Sequence, residues 1–337
     1  MLRRRATNTG SYFARAKDHV TWFGSGCKPL DLALGGGWAA PYIINVVGDK
    51  SSGKTLLAIE AAINFCKVFP RGEVIYKRAE RTFDPPYAEA LGLPLDRVDL
   101  GTESVVVVED IYAELDRLTA KGRKTPPPRL YVIDSWDAVK HKAELERGIG
   151  EADYGRKALL LSEFLRRLEA PMVDAKVTLF MISQTRAAIG SLFKKQQRSG
   201  GVALDFYASQ IVWLHQAGFI QRETTIDGKK VTRKTGTRII ANVDKNKFGL
   251  QSRRAYFDLL YGYGTDDLKA CLDFLDKSGG LPKLRAALNG TKPSELITKV
   301  RNRADGWEPL LNALHQVVEA HWWEIEARFL PARGKYR

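Results

Sequence analysis

An α/β protein built on a mostly parallel sheet with antiparallel edge strands is the fold this 337-residue sequence predicts, and three observations lead there. Continuous apolar runs of strand length alternate with longer stretches of helical periodicity through the first half of the chain. After Phe206 the strand-like runs follow one another without helices between them. A glycine-rich phosphate-loop pattern stands directly between one apolar run and a helical stretch, where parallel α/β sheets bind anions.

The elements follow in order. Residues 42–47 are a buried-strand run, and residues 55–68 carry apolar side chains at three- and four-residue spacing, as a helix does. Strand runs recur at 73–76, 105–108, 130–133 and 177–182, with a second helix over 155–169. Uniformly apolar strands separated by helices imply a parallel sheet covered on both faces. Past Phe206, strands are expected at 211–215, 237–243 and 255–260, and Asp227-Gly228 supplies a hairpin turn. Residues 121–129, with three prolines and four basic residues, and residues 191–201, basic and glycine-ended, read as loops. A shift in composition after Asp266 opens a helix-rich stretch holding Trp307, Trp322 and Trp323. The division expected is a short basic N-terminal segment (1–23), a core (24–267) and a small helix-rich C-terminal domain with a basic tail (268–337).

Composition narrows the function. The 53 Lys+Arg against 39 Asp+Glu leave a formal charge of +14, which favours a polyanionic partner. Arg3, Arg4, Arg5, Arg15 and Lys17 gather near the start, and Arg333, Lys335 and Arg337 near the end. No run of 18 apolar residues exists, so no membrane partner is expected. The basic start is followed by polar Ala6-Thr7-Asn8-Thr9-Gly10 where a signal peptide needs an apolar stretch, which argues against secretion. Cys27, Cys66 and Cys271 are far apart and show no metal-ligand spacing, which fits a reducing cytoplasm.

Gly48-Asp49-Lys50-Ser51-Ser52-Gly53-Lys54-Thr55 matches G-x-x-x-x-G-K-[ST]. In such a loop backbone N–H groups cradle phosphates, the lysine (Lys54) reaches the β- and γ-phosphates, and the hydroxyl (Thr55) ligates Mg²⁺. The metal also needs an acid at the end of a neighbouring strand, and Asp134 closes the 130–133 run.

With these motifs in place the chain resembles the RecA-type recombinases, which include UvsX and RadA, nearly collinearly from Gly24 to Gly264. The resemblance is carried by the lead-in 24–35, the phosphate loop, Ala79-Glu80-Arg81-Thr82-Phe83-Asp84-Pro85, Ser183-Gln184-Thr185-Arg186, residues 200–209 and Lys245-Asn246-Lys247. It implies a RecA-like ATPase core that uses ATP and Mg²⁺, and a DNA-dependent ATPase activity. Glu80 would activate the attacking water and Gln184 would sense the γ-phosphate. Asp84, Tyr87 and Tyr261 would sit at the nucleotide, the tyrosine of position 87 by stacking on the base. Lys245 and Lys247 would reach a neighbouring protomer's ATP. Two loops, about 144–154 and 187–201, would hold single-stranded DNA through Tyr154, Arg156, Arg186, Ile189, Phe193, Lys194, Lys195, Arg198, Gly200 and Gly201. Positive charge mixed with insertable apolar groups suits sequence-independent strand binding. Homologous pairing and strand exchange with duplex DNA, in a helical filament of identical subunits, is the activity implied.

Departures accompany the resemblance. The lead-in to the phosphate loop is shorter than in cellular RecA, which together with the divergence after Asp266 suggests a phage or prophage-type member. The C-terminus is basic where bacterial RecA is acidic. An acidic position of RecA before the Glu80 segment is Arg78 here. A RecA-fold hexameric helicase or translocase, and an ATP-binding recombination accessory protein, are the alternatives.

Overall fold

Two short strands, β1 (Thr21–Phe23) and β2 (Trp38–Ala40), pair antiparallel around helix α1 (Lys28–Ala33) and deliver the chain to β3 (Ile43–Gly48), whose six residues are all buried. The computed structural model describes residues 20–80, 83–103, 105–120, 126–147, 155–187, 196–198, 202–288 and 291–329. An alternating half follows: α2 (Lys54–Val68), β4 (Glu73–Arg78), α3 (Pro85–Ala90), β5 (Val98–Asp99), α4 (Val108–Thr119), β6 (Arg129–Asp134), α5 (Lys142–Glu146), α6 (Arg156–Asp174), β7 (Val177–Ala187), β8 (Gln196–Arg198) and α7 (Ala203–Tyr207). Then come β9 (Gln210–Ile226), β10 (Lys229–Asn246), β11 (Arg253–Leu260) and β12 (Gly264–Thr265). Helices α8 (Asp267–Ser278), α9 (Leu281–Ala287), α10 (Pro293–Asn302) and α11 (Trp307–Phe329) close the described chain.

The central sheet runs β12-β11-β10-β9-β3-β7-β6-β4-β5. Strands β9, β3, β7, β6, β4 and β5 are parallel, and β10 to β12 add the antiparallel edge. The α/β architecture expected from the apolar rhythm is therefore present. Strand β3 tolerates one polar residue inside, because the Asn45 amide donates to the Met181 carbonyl (3.0 Å) and the Ser183 hydroxyl (2.9 Å) of β7. One apolar layer lies on each face of the sheet.

Four differences from the sequence reading have physical causes. Residues 105–108 are not a strand: Val107 makes a single bridge to Lys140, and Val108 opens α4, where Glu109 and Asp110 favour the helix N-terminus. Helix α6 continues past Glu169 to Asp174, because Pro171 falls in its last turns and its carbonyl accepts from the Ala175 N–H. Strands β9 and β10 run far beyond 211–215 and 237–243 as a ribbon exposed on both sides, so no apolar alternation marks its length. Its turn is where the sequence put it, with Asp227 and Gly228 both at positive φ (49° and 73°), as a two-residue hairpin turn demands. Finally, α8 packs on α1 and β11, and Leu268, Cys271, Leu275, Leu314 and Trp322 join the same apolar cluster as α2 and β3. The helices from 268 onward thus extend one face of the sheet and share its core. Trp322 is buried in that layer, with Phe274 5.4 Å away ring to ring, while Trp307 and Trp323 are half-buried.

Candidate nucleotide site

Chain direction sets the site: β3, β6, β7 and β4 all end at the same edge of the sheet, and the residues just past those ends converge. The loop after Gly48 turns into α2 at Gly53, whose φ of 85° lies in the left-handed region. A Cβ on Gly53 would run into the Leu259 side chain, so the position excludes other residues on two counts. The loop closes on itself through the Ser52 hydroxyl, which donates to the Asp49 carbonyl (2.8 Å). The Lys54 amine donates to that same carbonyl at 2.6 Å. Lys54 is buried, and desolvation lowers its pKa while Glu80, Asp134, Asp137 and Asp49 pull it back up. One cation thus faces four carboxylates.

The two residues expected at the metal are brought together. The Thr55 hydroxyl bonds the Asp134 carboxylate, and Tyr76 from β4 donates to Asp134 Oδ2 at 2.8 Å. Burial raises the Asp134 pKa first of all, against the pull of those two hydrogen bonds. Glu80 follows the end of β4, and its N–H donates to the Asp134 carbonyl (3.0 Å). Its carboxylate accepts from the Ser135 hydroxyl and from the Gln184 side-chain amide, the latter at 2.7 Å. Gln184 sits on β7 beside Gly48 of β3, and its N–H donates to Asp137 Oδ2 (2.7 Å). The next residue, Thr185, bonds the Asp49 carboxylate through its hydroxyl. Glu80 and Gln184, 104 residues apart in sequence, are therefore directly bonded.

A cleft of about 720 Å³ runs from Lys50–Thr55 past Glu80, Asp134 and Gln184 to Asp84, Tyr87 and Tyr261. Tyr87 lies on α3, which Asp84 caps by accepting the Tyr87 N–H (3.3 Å). The Tyr261 hydroxyl lies 3.3 Å from that of Thr237. The cleft's lining suits a nucleotide: backbone and lysine at one end for phosphates, an oxygen-donor pair beside them, and two tyrosines at the other end for a base.

Sequence reasoning missed Ser135, Asp137 and Tyr76, which position the residues it named. A usable signal existed for the first two, since residues just beyond the carboxyl end of a parallel strand border the ligand crevice. Arg78 also finds its place: its guanidinium donates to the Leu100 and Gly101 carbonyls (3.0 and 3.1 Å), pinning the segment after β5.

Lys245 and Lys247 lie away from this cleft. Lys245 pairs with Ile211, which pairs with Asn45, so it stands at the starting end of β3 while the phosphate loop follows its finish. Its amine donates to the Phe206 carbonyl of α7 (2.9 Å), and Lys247 lies 3.6 Å from Glu169. Among the expected DNA contacts, Arg156 is the first residue of α6, after Gly155 at φ 79°. Arg186 and Arg198 lie on β7 and β8, which pair antiparallel as Thr185↔Arg198 and Arg186↔Gln197. Tyr154, Ile189, Phe193, Lys194, Lys195, Gly200 and Gly201 lie outside the described residues. Among the described residues, no helix is long and apolar enough to cross a membrane.

The RecA N-terminal domain family matches residues 10–266. Protein RecA of Streptomyces ambofaciens is 35% identical over 279 residues, covering 81% of this chain and 69% of the relative. Protein RecA of Thermosynechococcus vestitus is 36% identical over 261 residues, covering 77% and 69%. The DNA repair protein recA homolog 1, chloroplastic, of Arabidopsis thaliana is 32% identical over 260 residues, covering 75% and 55%.

Proposed function

The chain belongs to the RecA family, and from that premise we propose that it is an ATP-dependent DNA recombinase whose nucleotide chemistry is read out to DNA along strand β7. The observation that carries the readout is the bond between Glu80 and Gln184, because it joins the water-activating carboxylate to the strand that leads into the second DNA loop.

ATP enters with its phosphates against the loop at 48–55. Lys54 exchanges the Asp49 carbonyl for phosphate oxygens, and the four surrounding carboxylates favour its charged form against the desolvation that lowers its pKa. Thr55 and Asp134 form an oxygen pair of the kind Mg²⁺ takes, and the bound ion would neutralise charge on the β- and γ-phosphates. Ser135 and Gln184 hold the Glu80 carboxylate at the strand end, where it can accept a proton from the attacking water. A γ-phosphate competes with Glu80 for the Gln184 amide. Turning that amide shifts β7 beyond Thr185, and with it the pairing to β8. ATP binding and hydrolysis thus alternate the DNA loops between two arrangements.

Lys245, at the far end of the sheet from its own phosphate loop, serves the ATP of an adjacent subunit in this reading, with Lys247 beside it. A head-to-tail contact of that type propagates into a helix of identical subunits, with single-stranded DNA on the loops and duplex DNA as the second substrate. Electron microscopy with single-stranded DNA, Mg²⁺ and a non-hydrolysable ATP analogue tests the assembly. Continuous helical filaments are expected, and closed rings would favour a helicase-type motor instead.

A further inference from the structure

Helix α8 places Asp267 and Cys271 four residues apart, on one face and one turn from each other, and α11 brings His315 against them. His315 Nε2 lies 2.6 Å from Asp267 Oδ2, and Cys271 Sγ lies 3.6 Å from Asp267 Oδ1. The ligating atoms of all three lie within 4.8 Å of one another. We propose that Asp267, Cys271 and His315 form a transition-metal site of zinc type that staples α11 to α8.

Donor chemistry supports a borderline-soft ion. A thiolate, an imidazole and a carboxylate are the three ligand types zinc takes, whereas Mg²⁺ and Ca²⁺ would want oxygen throughout. Tetrahedral zinc, with bonds of about 2.0–2.3 Å, holds its ligand atoms about 3.3–3.8 Å apart. Cys271 Sγ lies at that distance from one carboxylate oxygen of Asp267, Oδ1, and His315 need retreat from the other, Oδ2, by less than about 1 Å. Cys271 is fully buried, while Asp267 and His315 sit at the rim of a cavity of about 440 Å³ and have room to adjust. A supporting bond fixes the carboxylate, since the Lys28 N–H donates to Asp267 Oδ1 at 2.6 Å and leaves Oδ2 toward the imidazole.

Carboxyl groups also crowd the cavity. Asp31 and Glu60 line it with Asp267, and Cys27 faces the same space. The lysines at the cavity are Lys28, whose amine turns to Glu319 at 2.7 Å, and Lys67. A divalent ion at Asp267 would take Cys271 as the thiolate, its proton leaving to water. Three protein ligands would leave the fourth coordination position to water. The role is structural: these residues lie beyond the 10–266 family match, at the seam where the helical tail meets α1.

The test uses the full-length, untagged protein. After gel filtration, bound zinc is measured by mass spectrometry, and the stripped protein is titrated with Co²⁺. About one metal per chain is expected, with a thiolate-to-cobalt charge-transfer band in the near ultraviolet. Cys271→Ser should remove the band, and His315→Gln should weaken Co²⁺ binding by about 10- to 100-fold or more, whereas Cys66→Ser should change neither. Circular dichroism verifies folding, and His315→Gln decides the matter if Cys271→Ser does not fold. Absence of bound metal together with no cobalt band, or a band that survives Cys271→Ser, overturns the site.

Discussion

Helix α2 serves two acidic clusters, and they differ in what balances their charge. From its first turn it offers Lys54 and Thr55 to the nucleotide cleft, where a buried amine stands among Glu80, Asp134, Asp137 and Asp49. Further along it offers Glu60 to the cavity shared with Asp31 and Asp267, where the amine of Lys28 is turned to Glu319. The cleft has its own cation beside its acids, of which Asp134 is buried. The cavity half-buries its acids, and desolvation raises Asp31 and Glu60 to about 7. In the proposed function the cleft's carboxylates serve turnover while the cavity's set stability, and substitution should separate the two.

Lys54→Ala should have the largest effect. With the clamp on the transferring phosphoryl gone, DNA-stimulated ATP hydrolysis should fall on the order of 10³-fold or more, and nucleotide-dependent DNA binding should go with it. Thermal stability should hold, because the lysine's hydrogen bond goes to a loop carbonyl. A variant that still hydrolyses ATP would remove the cleft from its role. Glu80→Gln comes next. The amide keeps the shape but accepts no proton, so hydrolysis should drop about 10²–10⁴-fold while ATP and DNA binding, read by filter binding, persist.

Sequence legibility also divides along the same line. The phosphate loop is contiguous, and it follows a strand whose apolar run announces itself, so residues 48–55 and Asp134 could be placed from chemistry alone. Glu80, Gln184, Tyr87 and Tyr261 needed the family resemblance, because a Glu, a Gln or a Tyr at a strand end has no signature until the sheet order puts β4, β6 and β7 side by side. Ser135 and Asp137 act through short contacts that only tertiary structure creates. The cavity was invisible: Glu60, Asp267, Cys271 and His315 are joined by folding across more than 250 residues, and an Asp four residues before a Cys matches no familiar metal spacing. The strand expected at 105–108 failed for a related reason. Four valines fit a buried helix start as well as a strand, and Glu109 and Asp110 decided for the helix.

Lys245→Ala asks whether the cleft is complete within one subunit. Lys245 stands at the opposite end of β3 from the phosphate loop, so its loss should leave ATP binding intact and lower filament-dependent hydrolysis by about 10²-fold. Mixing this variant with Lys54→Ala sharpens the point. Each is inactive alone, yet random co-assembly joins an intact cleft to an intact neighbouring lysine at about a quarter of the interfaces. Recovery toward that fraction is expected in a DNA-stimulated ATPase assay. No recovery at any ratio would place Lys245 outside the active interface.

The smallest effect belongs to the cavity and concerns stability. Burial pushes both Asp31 and Glu60 up to about 7. Hydrogen bonds oppose this, from the Ser25 N–H (2.7 Å) to Asp31 and from Thr265 to Glu60, and Lys28 also lowers Asp31, while Asp267 raises both. Unfolded, the two acids titrate near 3.8 and 4.5, so between there and about 7 the native state holds more protons than the unfolded chain. Their contribution is therefore fully present at acid pH and is lost as pH rises through the native values. In chelator-treated protein, with no cation to mask the carboxylates, the thermal midpoint should fall from about pH 5 to about pH 8. Asp31→Asn with Glu60→Gln should flatten that slope and raise the midpoint at the alkaline end by several degrees, with ATP hydrolysis unchanged. A slope unaffected by both substitutions would mean that these carboxylates are solvated and that the contrast with the cleft does not hold. A midpoint that rises with pH in the parent and falls in the double variant would reverse the assignment of which cluster is tuned for charge.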